Sequence, residues 1–178
     1  MNRMILDVGC GNRKRQGAIG MDISDRTQAD VLHDLNAVPY PFPDSQFDEI
    51  YIDNVLEHLV DVVAVMEELY RISKPGGMIK VVVPYFRSRW AFIDPTHRRF
   101  FTADSMTYFD PDHIHAKLYP YSTIKLKTEK RIFNENIPGG FMKKLMVRFA
   151  NRFTGAYECW LSHLCPLDDL TWYLKVIK

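Results

Sequence analysis

The residues best suited to chemistry lie near the start of this chain. Asp7-Val8-Gly9-Cys10-Gly11 closes a short apolar run, and Gly20-Met21-Asp22 closes the next. Glycines at such a turn let the main chain approach a ligand, and an acid ending the following strand accepts hydrogen bonds from ribose hydroxyls. Only eleven positions separate Gly11 from Asp22, whereas a dinucleotide site puts its acid about twenty residues on, after a full helix. Asn12 to Gly17 is too short for more than one helical turn, so a diphosphate would lack the positive helix N-terminus that holds it. A nucleoside without phosphate has no such requirement. S-adenosylmethionine meets the description: Asp22 for the ribose, an apolar slot for the adenine, and main-chain groups around Gly9 and Gly11 for the methionine end.

Short elements must position these groups. Residues 3–8, 18–23 and 29–33 are apolar, of strand length and without clean alternation, the pattern of buried parallel strands. Pro39, Pro41 and Pro43 forbid regular structure before Phe47 to Asp53 opens a fourth strand. From Val55 to Ser73 apolar residues recur at 55, 59, 62, 63, 66, 69 and 70, a helical period with Asp61 as N-cap of its main part. Lys74-Pro75-Gly76-Gly77 ends that helix, and Met78 to Val83 is a fifth strand. Ile124 to Phe133 and Leu170 to Lys178 supply a closing pair at one sheet edge, with a long helical stretch between them. The expected fold is α/β, a Rossmann-like and mostly parallel sheet of about seven strands with an antiparallel edge strand. The links between the first three strands are shorter than an ordinary crossover, so the first crossover helices are expected to be truncated. Residues 1–178 read as a single domain, with 85–120, rich in Arg, aromatics and His, as a substrate-side insertion or lid.

The 178 residues carry 23 basic and 22 acidic side chains, a formal charge of +1, so no global field draws the chain to nucleic acid or an anionic membrane. The charge is unevenly distributed: net −5 over 1–86, +7 over 87–152 and −1 over 153–178. An anionic partner is to be sought in the middle third. Cys10, Cys159 and Cys165 fit neither a disulfide framework nor a paired zinc motif, which points to a reducing, cytoplasmic setting. Cys159, His163 and Cys165 lack a fourth ligand nearby, and no metal is assigned. Neither a secretory leader nor an apolar run long enough to span a bilayer is expected.

LDVGCG, GAIGMDIS, DVLHDLNAVPYPFPDSQFDEIYIDNVLEHL and LYRISKPGGMIKVVVP together resemble the class I S-adenosylmethionine-dependent methyltransferases, in particular the small type-11-like group. The resemblance is dense over residues 3–84 and holds only in general plan beyond them. It implies a seven-stranded sheet with its last strand antiparallel. It also implies Asp7 and Gly9, Cys10 and Gly11 beside the methionine moiety, Asp22 with Ile23 at the ribose, and Asp34-Leu35 beside the adenine. The resemblance begins at residue 3 without the family's N-terminal covering helices, so either 85–120 or a second subunit is expected to supply the lid.

Methyl transfer from a sulfonium is an in-line displacement, in which positioning and exclusion of water carry most of the acceleration. An acceptor that must lose a proton still benefits from a base, and His58 is the first candidate, with a backbone-bonded polar residue as the alternative. The resemblance adds His97, which precedes Arg99-Phe100-Phe101-Thr102. Asp53 and Asn54, at the end of the fourth strand, are candidate cofactor-edge or acceptor contacts. Tyr85, Arg87, Arg89 and Arg98 are candidate substrate contacts, the arginines suited to a carboxylate or phosphate, unless they form a solvated loop. Phe141, Leu145, Met146, Phe149 and Phe153 recur at helical spacing beside Lys143, Lys144, Arg148 and Arg152. That helix is expected to pack on the sheet, the alternative for 141–153 being a peripheral membrane contact. The leading reading is transfer to a small-molecule, glycan or lipid-precursor acceptor. A nucleic-acid methyltransferase and a non-catalytic cofactor-binding subunit remain as rivals, and a homodimer is left open. The nucleic-acid signal is weak, because basic and aromatic residues interleave only over 85–101.

Overall fold

The computed structural model describes residues 3–135 and 140–178. Its strands are β1 (Ile5–Val8), β2 (Ile19–Asp22), β3 (Val31–Leu32), β4 (Phe47–Asp53), β5 (Ser73–Pro84), β6 (Leu126–Phe133) and β7 (Asp169–Val176). They form one seven-stranded sheet in the order β3-β2-β1-β4-β5-β7-β6. All pairings among β1 to β5 are parallel, whereas β7 runs antiparallel to both of its neighbours. The antiparallel member of the closing pair therefore lies one position in, and β6 takes the outermost place.

The helices are α1 (Val62–Ile72), α2 (Trp90–Ile93), α3 (Ile114–Leu118), α4 (Phe141–Arg152) and α5 (Thr154–Ala156). Among the described residues, turns alone join β1 to β2 and β2 to β3. The truncation is thus complete in both links, and α1 is the one full crossover helix of the parallel series.

The strand register shows what this does to the sheet. Leu6, Ile50, Ile79 and Leu174 form one row across four strands, and Val8, Ile52, Val81 and Trp172 form the next row on the same face. None of these eight is more than 1% exposed. α1 adds Val65, Met66, Leu69 and Ile72 to the same core, each such burial contributing roughly 1.5–3 kcal/mol. The opposite face carries the row Asp7, Tyr51, Lys80 and Tyr173. The expectation of strands buried on both faces is corrected here, because this second face is polar and satisfies itself. Arg3 pairs with Glu49, Tyr51 donates to Glu49, and Lys80 meets Glu135 at 2.5 Å. Arg15 stacks on Tyr51 with its guanidinium carbon 3.9 Å from the ring centre.

Two boundaries differ from the sequence pattern. The helix expected from Val55 begins at Val62, where Asp61 accepts from the Ala64 amide at 3.0 Å. Leu56–His58 instead form a 3-10 turn, and Leu59 is extended. The segment 74–77, expected to separate helix from strand, already belongs to β5, which begins at Ser73 directly after α1.

Candidate functional site

The carboxyl ends of β1, β2 and β4 meet around the glycine turn. Gly9 (φ +65) and Gly11 (φ +52) both adopt the left-handed region, where a side chain is strained. A Cβ on Gly9 would also lie 2.4 Å from a Val55 methyl. The Gly9 amide donates to Met21 O at 2.7 Å, and the Gly11 amide donates to Asp22 Oδ2 at 2.9 Å. Asp22 Oδ1 accepts from the Ser24 amide at 3.0 Å. Two main-chain donors fix this carboxylate, and each oxygen keeps acceptor capacity for a ribose hydroxyl. A mostly apolar cavity of about 290 Å³ opens beside it, lined by Asp22, Ile23, Asp34, Leu35, Val55 and His58 among others.

A second, polar cavity of about 560 Å³ shares Gly9 and is lined by Asp7, Cys10, Gly11, Arg15, Asp53 and Asn54. Burial raises the Asp7 carboxyl above its ordinary range, against the lowering effect of the Arg15 amide and guanidinium. Arg15 also pairs with Asp53. Sequence reasoning missed Arg15, whose signal was the basic run Arg13-Lys14-Arg15 in the place of the first crossover helix. One Asp53 carboxylate oxygen is buried without a hydrogen-bond partner. Such an oxygen beside a glycine turn fits an ammonium, and the neighbouring apolar cavity fits a nucleoside, so the residues present suit S-adenosylmethionine. Burial raises the Cys10 thiol, which keeps it a neutral packing group.

A third cavity, of about 440 Å³, lies beyond β4 and β5 and is lined by Asn54, Glu57, His58, Trp90, Asp94, His97 and Asp169 among others. His58 therefore borders both the nucleoside cavity and this one. The His58 and His97 rings lie edge to face with centres 4.6 Å apart. His97 Nε2 stands 4.0 Å from Glu57 Oε1. Glu57 is 1% exposed, and neither of its oxygens has a hydrogen-bond partner. Burial pushes its carboxyl up to about 7. Burial, and then the neighbouring His97, lowers His58, while burial raises Asp169. The Arg98 and Arg99 amides donate to Glu57 O at 2.7 and 3.1 Å, which ties the segment after α2 to the 3-10 turn. Glu57 and Asp169 are site residues that the sequence did not single out. They lie more than a hundred positions apart, and only the β5–β7 pairing brings them together.

Other expectations are redistributed. Tyr85 is fully buried against Phe86, Phe133 and Tyr157, so it is a core residue and not an acceptor contact. Arg87, Arg89 and Arg98 are exposed. Arg87 borders a separate hollow with Phe92 and His163, and Arg89 lies over Trp90. Along α4, Met146 and Phe149 pack on the core, while Phe141, Leu145 and Phe153 stay exposed. All three cysteines are free. Among the described residues, no helix is long and apolar enough to cross a membrane.

Comparison with known proteins bears on this geometry. Residues 6–81 match the family model described as a methyltransferase domain. A demethylmenaquinone methyltransferase of Listeria monocytogenes is 28% identical, the match covering 58% of this chain and 58% of that protein. The chain thus spans little more than half the length of this curated relative. A methyltransferase structure from Archaeoglobus fulgidus, titled SAM dependent, superimposes with a TM-score of 0.56 at 18% identity, over 97% of this chain and 86% of that one. A Haloferax volcanii complex of the Trm112 methyltransferase activator with a putative methyltransferase gives 0.56 at 18%, over 98% and 82%. These two likenesses speak for the fold.

Proposed function

We propose, from the match of residues 6–81 to a methyltransferase-domain model, that the chain is a class I S-adenosylmethionine-dependent methyltransferase of the type-11 group and that it methylates a small molecule bearing an ionisable hydroxyl. When bound, the cofactor supplies an electrophilic methyl group whose bonding pair to carbon stays on sulfur. Asp22 holds the ribose, Asp34 and Leu35 flank the adenine, and Asp7, Asp53 and the Gly9–Gly11 turn receive the methionine end. The single observation that carries this reading is the shared wall: His58 borders the nucleoside cavity on one side and the Glu57–His97 cavity on the other.

Glu57, His58 and His97 manage the charge of the acceptor. A hydroxyl gives up its proton into this cluster and thence to solvent, and the resulting anion attacks the methyl carbon through oxygen or through an activated ring carbon. His58 suits the role because its lowered pKa leaves it neutral, and able to accept, at physiological pH. Exposed Trp90 and Ile93 line the cavity and favour an apolar acceptor. The quinone named in the curated relatives is of that kind. Residues 85–120 serve as the acceptor-side wall of a single domain. A lipid-tailed acceptor would draw on exposed Phe141, Met142 and Leu145 with Lys144 and Arg148 as a peripheral membrane contact.

The test is transfer of a labelled methyl group to a panel of phenols and hydroquinones. His58→Ala is expected to lower turnover by about 10²–10⁴-fold while cofactor affinity falls much less. Undiminished turnover in that variant removes His58 from the reaction, and no transfer to any panel member counts against this acceptor class.

A further inference from the structure

Glu57, His58 and His97 present more acceptors than donors. Thr96 Oγ1 donates its one hydrogen to Asp94 Oδ1 at 2.7 Å, so the His58 Nδ1 that meets Thr96 Oγ1 at 2.8 Å must itself donate. His97 Nδ1 meets the carbonyl of Ala91 at 3.0 Å and donates likewise. Both imidazoles therefore keep only the Nε2 lone pair free, and both Glu57 oxygens are buried without a partner. Among the described residues no Lys or Arg pairs with Glu57, and Asp94 and Asp169 add negative charge nearby.

We propose that Glu57, His58 and His97 form a binding site for a divalent transition-metal ion at the acceptor side of the cofactor. One ligand atom from each residue already lies within 4.8 Å of the other two. Tetrahedral coordination at about 2.0–2.2 Å sets ligands roughly 3.4 Å apart, so the separations must contract by at most about 1.4 Å. Each imidazole is held by its other nitrogen, on a hydroxyl backed by Asp94 and on a main-chain carbonyl, as outer-shell partners hold metal-bound histidines. Two imidazoles and one carboxylate suit Zn²⁺, Mn²⁺, Fe²⁺ or Co²⁺ and suit Mg²⁺ poorly. The remaining position faces the cavity shared with Asn54 and Trp90. With the ion bound, an acceptor hydroxyl there would lose its proton to solvent at lower pH, and the base role given to His58 above belongs to the metal-free protein. This role for the ion rests on the methyl-transfer reading, whereas the site itself does not.

The experiment is titration of the chelator-treated, full-length protein with Co²⁺ and with Zn²⁺, by visible absorption and by calorimetry. One ion per chain is expected, with a nitrogen and oxygen ligand spectrum and an affinity that falls more than about tenfold in both Glu57→Gln and His97→Gln. Retained binding of S-adenosylhomocysteine shows that the two variants are folded. Absence of saturable binding by the unmodified protein overturns the proposal. So does a thiolate-to-cobalt charge-transfer band, which assigns the ion to the cysteines, or binding undiminished in both variants. Metal binding without any S-adenosylhomocysteine binding would sustain the site and sink the methyl-transfer reading. The reverse result would sink the site alone.

Discussion

Glu57 concentrates the chemistry of the acceptor side in one residue. A carboxyl raised to about 7 by burial binds a proton that its unfolded counterpart, near 4.5, has already released. In metal-free protein the folded state then holds more protons than the unfolded state between those values. This group's contribution is full below about pH 4.5 and is lost as pH rises through 7, a change on the order of 3 kcal/mol. Glu57→Gln removes the ionisation, so its stability relative to the metal-free parent should improve as pH rises from 4.5 to 7.5. Urea melts across that range check this, and parallel pH profiles for the two proteins would contradict it. At the same scale, Asp22 and the glycine turn were legible because backbone geometry leaves a mark in sequence, as the positive φ at Gly9 and Gly11 shows. Tyr85 was misread because a buried ring and an acceptor contact look alike at a strand end. Arg15 was missed because its partners Asp7 and Asp53 come from two different strands.

At the scale of elements, the caps mattered more than the periodicity. The apolar period from Val55 to Tyr70 is continuous in sequence, yet the helix waits for Asp61, whose carboxylate satisfies the Ala64 amide. The residues before it, freed from the helix, form the turn that turns Glu57 inward and leaves His58 between two cavities. Asp61→Ala is expected to cost about 1 kcal/mol, read as a lower urea midpoint at unchanged slope. A shift below about 0.3 kcal/mol would mean that packing of Met66 and Leu69, and not the cap, fixes where α1 starts. The closing strands were visible because residues 124–133 alternate in part and 170–178 follow as a second run of strand length, but strand order was not. Pairing between β5 and β7 is a long-range choice made by the rows Ile79–Leu174 and Val81–Trp172, and a one-dimensional pattern does not encode it.

Across the whole molecule, losing the first two crossover helices has a single consequence that links fold to ligand. One sheet face keeps the core, and the other is closed by ion pairs and by Arg15 stacked on Tyr51. The short link from Gly11 to Ile19 that makes this possible also removes the helix N-terminus a diphosphate would need. It keeps Asp22 within 2.9 Å of the Gly11 amide. The polar sheet face and the expected ligand preference thus both rest on the shortness of that link. Competitive calorimetry with S-adenosylhomocysteine and NAD tests this most directly. The thio-nucleoside should bind one per chain, Asp22→Ala should weaken it by about 5–150-fold, equivalent to about 1–3 kcal/mol, and NAD should not compete. Tight NAD binding with S-adenosylhomocysteine excluded, or an affinity indifferent to Asp22→Ala, would contradict the account.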